Sequence, residues 1–329
     1  MARPLVTVLT TPVPGGVRDV YQALRSAVRP LLKPNVPLPA MSAYPGHYAV
    51  TRSVVEGLRA IGADFNFNPR RFGEVGTVVY APANEALRQA IAMKREGRIR
   101  WLVAGPTNAL LPQEADGIIQ APDIDRLIIA SEWVRELYAS APGLLAKLRV
   151  CPVGVDATYW RPTGQPRQSR GVVYWKSGDE QFCAAVEAIA RRTGLEPLRI
   201  RSAAGARTMF TPERFRAALD SARIAIVLSS FETQGIALAE TWAMDVPTLV
   251  WDPQGRAEWR GHVFTSRSSA PYLTFATGRT WTTLGELELV LGETLRDRAQ
   301  PGPRAWVLAH MTDAIRARAL YEILTRDRE

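Results

Sequence analysis

The sequence contains little cysteine and little histidine. Cys151 and Cys183 are its only cysteines in 329 residues, and they lie far apart without a Cys-x-x-Cys partner. A disulfide framework and a zinc cluster are therefore not expected, and both residues are predicted to be buried thiols. Of the three histidines, His262 and His310 stand beside no group that would give them a chemical role.

Several longer patterns are also missing. No apolar run is long enough to cross a bilayer, and the first residues, MARPLVTVLTTPVPGG, are too interrupted for a secretory signal. We therefore expect a cytoplasmic protein. The sequence has no Gly-x-Ser-x-Gly, HExxH or Walker loop, which argues against the hydrolases, metalloproteases and nucleoside triphosphatases that carry these motifs.

Positive charge is abundant, but lysine supplies little of it. The net charge is +9, and of the 41 basic residues only Lys33, Lys94, Lys147 and Lys176 are lysines. This excess favours anionic partners such as phosphorylated small molecules, nucleic acid or the inner face of an anionic membrane, and peripheral membrane contact stays open. Because the arginines are scattered and no nucleic-acid-binding module is present, no nucleic acid is expected as a partner. A basic nucleic-acid-binding protein is the non-enzymatic alternative.

The order of apolar runs predicts an α/β protein. A chain of this length, with 47% hydrophobic residues, can bury two ordinary cores. Strands alternating with helices indicate parallel sheets covered on both faces, so we expect two Rossmann-like domains facing a cleft. The predicted strands cover residues 5–9, 77–80, 99–104, 127–130, 148–151, 172–175, 198–201, 223–228 and 248–251. The predicted helices cover residues 17–28, 48–61, 84–95, 132–138, 180–192 and 212–219, and a further helix begins at 235.

Two breaks rich in proline and glycine suggest the domain boundaries. The sequence YWRPTGQPRQSRG has little to bury and is predicted to be a linker over residues 159–171. An amino-terminal domain would then cover 1–158 and a carboxyl-terminal domain 172–300. After the second break, AQPGPRA, a helix within 301–329 is expected to pack back towards the amino-terminal domain.

The segment SSFETQGIALAETWAMDVP, residues 229–247, carries the clearest chemical signal. It follows an apolar strand, becomes helical from Gly235 and ends at Pro247, before another apolar run. In such strand, loop, helix and strand units, ligands lie beyond the carboxyl ends of the strands. The N–H groups at the helix start, at Gly235, Ile236 and Ala237, are therefore predicted to bind phosphate.

Two glutamates flank that helix start. Glu240 lies one turn into the helix on the face of its N-terminus, where a carboxylate can accept two ribose hydroxyls. Glu232 leaves from the loop and can reach the sugar of a diphosphate-linked ligand. The alternative is that Glu240 is a solvated helix residue and Glu232 an ordinary loop charge, because this spacing arises often by chance.

The whole segment resembles the E-x7-E signature of retaining GT-B glycosyltransferases, especially glycosyltransferase family four. FETQGIALAETWAMDVP matches the first glutamate, the glycine-bearing turn, the second glutamate, the alanine-rich helix and the closing proline. Two departures are TQG, where the family usually has an aromatic residue between two glycines, and Asp245, where glycine is common. The similarity covers about residues 130–251, and the TQG turn is where we expect donor-sugar choice to be set.

This resemblance implies a GT-B architecture with the acceptor on the amino-terminal side. The implied reaction moves a sugar from a nucleotide-diphosphate sugar to an acceptor hydroxyl with retention of the anomeric configuration. The acceptor would be a glycan, a lipid-linked molecule or a small molecule, and neither a metal nor another cofactor is expected. A GT-B epimerase or phosphorylase is the enzymatic alternative, although no pyridoxal-phosphate lysine context supports a phosphorylase.

Lys176 ends a predicted strand and precedes a Ser-Gly pair, so its ammonium can meet a diphosphate at the strand's carboxyl end. In the family a basic pair in this region neutralises the leaving group, and the resemblance implies Lys176 and Glu232 as catalytic residues. The second basic residue is absent at its usual spacing, and Arg201 or Arg207 is the expected substitute, with Arg207 assigned to donor binding. Residues 205–210 would hold the nucleobase. The alternative for Lys176 is an ordinary strand-end charge.

Three further positions are candidates for weaker reasons. Gly15 and Gly16 follow the first strand and resemble a glycine loop that admits phosphate or sugar, and His47 precedes a helix where it could touch acceptor or sugar. A lone histidine is more often structural.

Asp123 and Asp125 form a DxD, the metal-binding signature of the other large glycosyltransferase fold, but they precede a strand. A strand-entry role is predicted for them, and no metal.

Overall fold

The structure is a computed structural model that describes residues 5–14, 47–107, 109–138, 141–201, 211–264, 267–296 and 302–326. The chain divides into two compact units, each with its own parallel sheet. The first comprises Met1–Ala130, Leu137–Cys151 and Ala317–Glu329, and the second Ser131–Glu136 and Pro152–Arg316. The predicted α/β class with two parallel sheets is confirmed.

Within the described residues, the sheet of the first unit has six parallel strands in the order β2-β1-β3-β4-β5-β6. Their bounds are β1 (Val6–Val8), β2 (Phe65–Phe67), β3 (Val78–Ala81), β4 (Trp101–Ala104), β5 (Arg126–Ile129) and β6 (Leu148–Val150). Every residue of β1 and β3 is buried, as expected of apolar runs in a sheet covered on both faces.

The longer helices of the first unit are α1 (His47–Ala60) and α2 (Asn84–Arg95), close to their predicted bounds. They are amphipathic, and the apolar stripe of α2 faces the core. The buried residues of α2 are Ala86, Leu87, Ala90, Ile91 and Met93. Two short helices follow β5: α3 (Val134–Leu137), most of which belongs to the second unit, and α4 (Pro142–Leu145). The predicted helix 17–28 lies outside the described residues.

The described part of the second unit contains a five-stranded parallel sheet in the order β13-β10-β9-β7-β8. Its strands are β7 (Arg170–Trp175), β8 (Glu196–Arg201), β9 (Ile224–Leu228), β10 (Thr248–Trp251) and β13 (Gly278–Trp281). All five residues of the central strand β9 are buried. A separate antiparallel hairpin pairs β11 (Ala257–Trp259) with β12 (His262–Phe264).

Helices cover both faces of the second sheet. One face packs on α5 (Glu180–Arg192) and α8 (Leu284–Arg296) through a cluster that includes the buried thiol of Cys183. The other packs on α6 (Pro212–Asp220) and α7 (Ile236–Ala243) around Phe215 and Trp242. Both cysteines are buried thiols that form no disulfide with each other, as predicted. Among the described residues, no helix is both long and apolar enough to span a membrane.

The carboxyl-terminal residues form two helices rather than one, α9 (Pro303–His310) and α10 (Asp313–Thr325). The first packs in the second unit, where the rings of Trp306 and Trp242 lie 5.5 Å apart. Asp245, just after α7, has a φ of 59°, a left-handed conformation that explains why glycine suits this position. Its carboxylate accepts a hydrogen bond from the backbone N–H of Arg304 at 3.1 Å and so caps the first turn of α9.

The segment predicted as a linker belongs to the second unit. Trp160 is buried and packs edge-on against Phe215 at 6.0 Å between ring centroids. Thr163 donates to the Asp220 carboxylate at 2.6 Å, and β7 already begins at Arg170. The prediction missed this packing because most of the segment is polar, and a single large aromatic residue, Trp160, anchors it in the core.

Candidate functional site

The candidate site is built at the carboxyl edge of the second sheet. Because β7 and β9 are parallel neighbours, the residues that follow them, Lys176 and Ser229, emerge at the same edge. The backbone N–H groups of Lys176 and Ser177 both donate to the carbonyl of Leu228 at 2.9 Å. The two strand ends are therefore fastened to each other where their loops begin.

The structure brings the two predicted catalytic residues into direct contact. Lys176 Nζ lies 2.8 Å from Glu232 Oε1, although 56 residues separate them. The Glu232 side chain is only 14% exposed, whereas that of Lys176 is 41% exposed. Ser229 Oγ donates to the same Oε1 at 2.8 Å. No described residue donates to Oε2, so this oxygen can accept a hydrogen bond from a ligand hydroxyl.

The backbone of Glu232 is held on both sides. Its N–H donates to the carbonyl of Ser268 at 2.8 Å, and its carbonyl accepts from Trp133 Nε1 at 2.9 Å. Upstream, the carbonyl of Ser230 accepts from Arg267 Nη1 at 2.8 Å. The Arg267 side chain is 4% exposed and also pairs with Asp252 at 3.1 Å. The loop is thus preorganised before any ligand arrives.

Aromatic packing supports the same loop. The ring of Phe231 lies edge-on to Trp133, Trp259 and Phe264, with centroid separations of 6.2, 6.2 and 5.4 Å. Trp133 and Phe264 are also stacked at 5.9 Å. These contacts connect the β11–β12 hairpin to the residue immediately before Glu232, which restricts movement of the loop.

Gly235 occupies the position before the first turn of α7. Its φ is 77°, a left-handed conformation that favours glycine. The first N–H groups of a helix have no acceptor within the helix, which makes those of Ile236 and Ala237 suited to an anion.

Glu240 lies in the middle of α7 and is 8% exposed. The reading of this residue as a solvated helix charge is therefore excluded. Burial raises the pKa of the nearby Tyr159 phenol, and the carboxylates of Glu213 and Glu240 raise it further.

In the TQG turn, the side chain of Gln234 is held by backbone groups of the second unit. Gln234 is buried, its Nε2 donates to the carbonyl of Val153 at 2.7 Å, and its Oε1 accepts from the Val153 N–H at 3.0 Å. Both polar groups are satisfied by the backbone of one residue. The Gln234 side chain therefore ties the turn to the body of the unit.

The DxD aspartates enter ion pairs at the start of β5, as their predicted strand-entry role requires. Asp123 accepts two hydrogen bonds from Arg95, at 2.8 and 3.1 Å, and these lower the pKa of its carboxyl group. Asp125 accepts from Lys94 and from the backbone N–H of Leu102 at 2.6 Å. Within the described part of the chain, no group of three or more metal-ligating side chains is found.

Several predicted residues cannot be placed. Gly15, Gly16 and Arg207 lie outside the described residues, as does the loop 205–210. His47 is the first residue of α1, and its side chain is likewise outside the described part.

Three residues at the site were not predicted. Ser229 stands inside the quoted segment, three residues before Glu232, and could have been found as a local partner of that carboxylate. Trp133 and Arg267 lie far away in the sequence and carry no signal that links them to the loop.

Comparisons with known proteins identify the fold. No family model and no curated protein matches the sequence. Among solved structures, HepE from Anabaena in complex with UDP superposes with a TM-score of 0.57 at 11% identity, covering 97% of this chain and 99% of that chain. A trehalose-6-phosphate structure from E. coli bound with UDP-2-fluoro glucose gives a TM-score of 0.55 at 10% identity, covering 98% of both chains. The lipopolysaccharide outer core galactosyltransferase WaaB gives 0.51 at 10% identity, covering 96% of this chain and 97% of that one.

The chain has the GT-B fold of these glycosyltransferases, and the similarity covers nearly all of it. At such low identity the likeness concerns the fold alone. Membership of glycosyltransferase family four stays a prediction.

Proposed function

We propose that this protein is a retaining glycosyltransferase that moves a sugar from a nucleotide-diphosphate sugar to an acceptor hydroxyl. The observation that carries the proposal is the Lys176–Glu232 pair, which meets at the carboxyl edge of β7 and β9 on a GT-B fold. HepE structures with this fold are complexes with UDP and with UDP-glucose, so UDP-sugars are the first donors to test.

Each part of the donor has a candidate partner in the second unit. Lys176 and the N–H groups of Gly235, Ile236 and Ala237 would bind the diphosphate, because an ammonium and a helix N-terminus both favour negative charge. Glu240 would accept the ribose hydroxyls. Glu232 would accept a hydroxyl of the transferred sugar through Oε2, while Oε1 stays bound to Lys176 and Ser229.

The reaction breaks the bond between the sugar anomeric carbon and the diphosphate oxygen, which keeps the electron pair. Lys176 stabilises the charge that develops on that oxygen. The acceptor oxygen attacks the same face of the sugar and passes its proton to the departing phosphate, so the configuration is retained. Glu232 fits hydroxyl recognition better than nucleophilic attack, because one of its oxygens already accepts two hydrogen bonds. With the charge met by protein groups, we propose that no metal is required.

The acceptor would be a glycan, a lipid-linked molecule or a small molecule, and we assign its recognition to the first unit. Gly15, Gly16 and His47 remain the candidates there, and Arg207 remains a candidate for the donor. We also propose a cytoplasmic location, with peripheral contact to an anionic membrane where the acceptor is lipid-linked.

Thermal stability in the presence of a panel of nucleotide sugars tests the proposal. A ligand that binds only the folded state at a hundred times its Kd should add about 2.7 kcal/mol of stability. Incubation of the stabilising donor with acceptors, followed by NMR of the anomeric centre, then tests transfer and retention. Stabilisation by no member of the panel would contradict the proposal. Conversion of the donor sugar to its epimer without a new glycoside would indicate an epimerase, cleavage of a glycoside by added phosphate to a sugar phosphate would indicate a phosphorylase, and an inverted product would overturn retention.

A further inference from the structure

Two successive carbonyls of the loop after β9 are held by side chains of one short segment. Trp133 Nε1 donates to the carbonyl of Glu232 at 2.9 Å, and Ser131 Oγ donates to the carbonyl of Thr233 at 2.5 Å. Both donors belong to Ser131–Glu136, which is part of the second unit. Ser131 is 2% exposed and Trp133 is 9% exposed, so both contacts lie in the packed interior of that unit.

The direction of these carbonyls also sets the direction of two N–H groups. The carbonyl of Glu232 shares a peptide group with the N–H of Thr233, and the carbonyl of Thr233 shares one with the N–H of Gln234. Both peptide bonds are trans. In a planar trans peptide the C=O and the N–H point in opposite directions. Because the carbonyls point towards Trp133 and Ser131, these two N–H groups point away from that segment.

Neither of the two N–H groups has an acceptor among the described residues. The preceding N–H, that of Glu232, donates to the carbonyl of Ser268 at 2.8 Å. Gln234 is only 6% exposed, and backbone donors in buried segments are nearly always paired. The unpaired N–H groups of Thr233 and Gln234 are therefore available to a ligand. Along the chain they lie between the Glu232 carboxylate and the start of α7.

The orientation of the Trp133 indole is fixed by its own packing. Its ring stacks on Phe264 at 5.9 Å and lies edge-on to Phe231 at 6.2 Å. A phenylalanine ring could make contacts of this kind, but only an indole also supplies an N–H donor. The packing and the hydrogen bond of Trp133 can therefore be separated by substitution.

We propose that Ser131 and Trp133 are positioning residues of the donor site. They act through the backbone, by directing the N–H groups of Thr233 and Gln234 towards the transferred sugar and by fixing the point from which the Glu232 side chain leaves. The inference rests on the proposed function, which assigns Glu232 to that sugar, and extends it to two residues that act without touching the donor.

Calorimetric titration of the full-length protein with UDP-glucose and with UDP tests this assignment. If another nucleotide sugar of the panel is the one that stabilises the protein, that sugar and its nucleoside diphosphate replace the pair. The variants are Trp133→Phe, which keeps a ring and removes the N–H, and Ser131→Ala. We expect each to weaken binding of the nucleotide sugar about fivefold, the scale of one neutral hydrogen bond, and to leave UDP affinity within about twofold.

Two matched controls remove the same groups elsewhere in the second unit. Trp242→Phe removes an indole N–H that donates to Thr248 Oγ1 at 3.0 Å, and Ser221→Ala removes a hydroxyl that donates to the carbonyl of Ala218 at 3.1 Å. Each control should lose stability as its partner variant does, which urea unfolding measures. Neither bond reaches the loop after β9, so the ratio of the two affinities should stay unchanged in both controls.

An unchanged ratio of the two affinities in Trp133→Phe and in Ser131→Ala would overturn the inference and leave the proposed function intact. An unchanged ratio in one variant would remove that residue from the assignment. Equal losses for UDP-glucose and UDP, or a changed ratio in the controls, would also overturn it, because the effect would then be a general loosening of the unit. If the unsubstituted protein binds no nucleotide sugar, the proposed function fails and the inference falls with it.

Discussion

Two lysine–carboxylate pairs lie at opposite ends of parallel strands in this protein. In the first unit, Lys94 near the end of α2 pairs with Asp125, which directly precedes β5. In the second unit, Lys176 directly follows β7 and pairs with Glu232 in the loop after β9. The chemistry of the two pairs is the same, but the first sits at the amino edge of its sheet and the second at the carboxyl edge.

The partners of the two carboxylates show what this difference means. Asp125 also accepts the backbone N–H of Leu102, so its hydrogen bonds join a helix to two neighbouring strands. Glu232 accepts from Ser229 in its own loop, and its second oxygen has no donor among the described residues. In α/β folds ligands bind at the carboxyl edge of the sheet, where the second pair lies. We therefore assign a structural role to the first pair and a functional role to the second.

The largest expected difference between the pairs is in catalysis. Glu232→Gln should reduce the rate of sugar transfer by about 100-fold, because a neutral amide accepts a sugar hydroxyl less strongly and no longer balances Lys176. Asp125→Asn should change the rate by less than about twofold at temperatures well below its melting point. Initial rates with the stabilising donor measure both. Similar losses in the two variants would remove the functional distinction between the edges.

Donor affinity should respond to Glu240 more moderately. Glu240→Gln should weaken nucleotide-sugar binding by about tenfold if its carboxylate accepts ribose hydroxyls. Comparison with a 2′-deoxy donor sharpens this test, because the unsubstituted protein should prefer the ribose form and the variant should discriminate less. Titration calorimetry with both donors gives the four affinities. A preference for ribose that survives Glu240→Gln would assign ribose recognition to another residue.

For the free energy of unfolding, we expect the larger effect at the Lys94–Asp125 pair and the smaller one at the Lys176–Glu232 pair. Asp125→Asn should lower the free energy of unfolding by about 1–2 kcal/mol, because the partly buried Lys94 and the Leu102 N–H lose a charged acceptor. Glu232→Gln should cost less than about 1 kcal/mol, since Lys176 is substantially exposed and remains solvated. Urea unfolding of the two variants compares them. A larger loss in Glu232→Gln would make the second pair the structural one.

The acid side of the stability profile should depend on the first unit. The Arg95 hydrogen bonds lower the pKa of Asp123 in the folded state. The ion pair therefore stabilises the folded state fully above the unfolded-state pKa of about 3.9, and this stabilisation is lost as the pH falls through the folded-state pKa. Asp123→Asn should therefore flatten the fall in stability below about pH 4. Urea unfolding at a series of acidic pH values measures this slope. An unchanged slope would show that Asp123 does not contribute to the loss of stability in acid.

Most of the second sheet could be predicted from local pattern. The strand β10 matches its prediction residue for residue, and β9 differs by one residue, because both are apolar runs with clear stops. The hairpin and the strands β2 and β13 were missed because they are only three or four residues long and mix polar with apolar residues, as Phe65–Phe67 does, so that their strand pairing depends on neighbours. The helix α8 was also not predicted.

The site was predictable only in part. Parallel topology sends Lys176 and Glu232 to one edge, so their proximity follows from strand order. The supporting contacts do not follow, because Trp133 and Arg267 reach the loop through packing between distant segments. The role of Gln234 was obscured for the same reason, since Val153 lies 81 residues away.

A crystal structure with the nucleotide sugar that most stabilises the protein tests the central claim most directly. We predict that the diphosphate lies within about 3 Å of Lys176 Nζ and of N–H groups at the start of α7, with a sugar hydroxyl donating to Glu232 Oε2. A donor bound elsewhere, with the Lys176–Glu232 pair untouched, would contradict the assignment of the carboxyl edge as the active site.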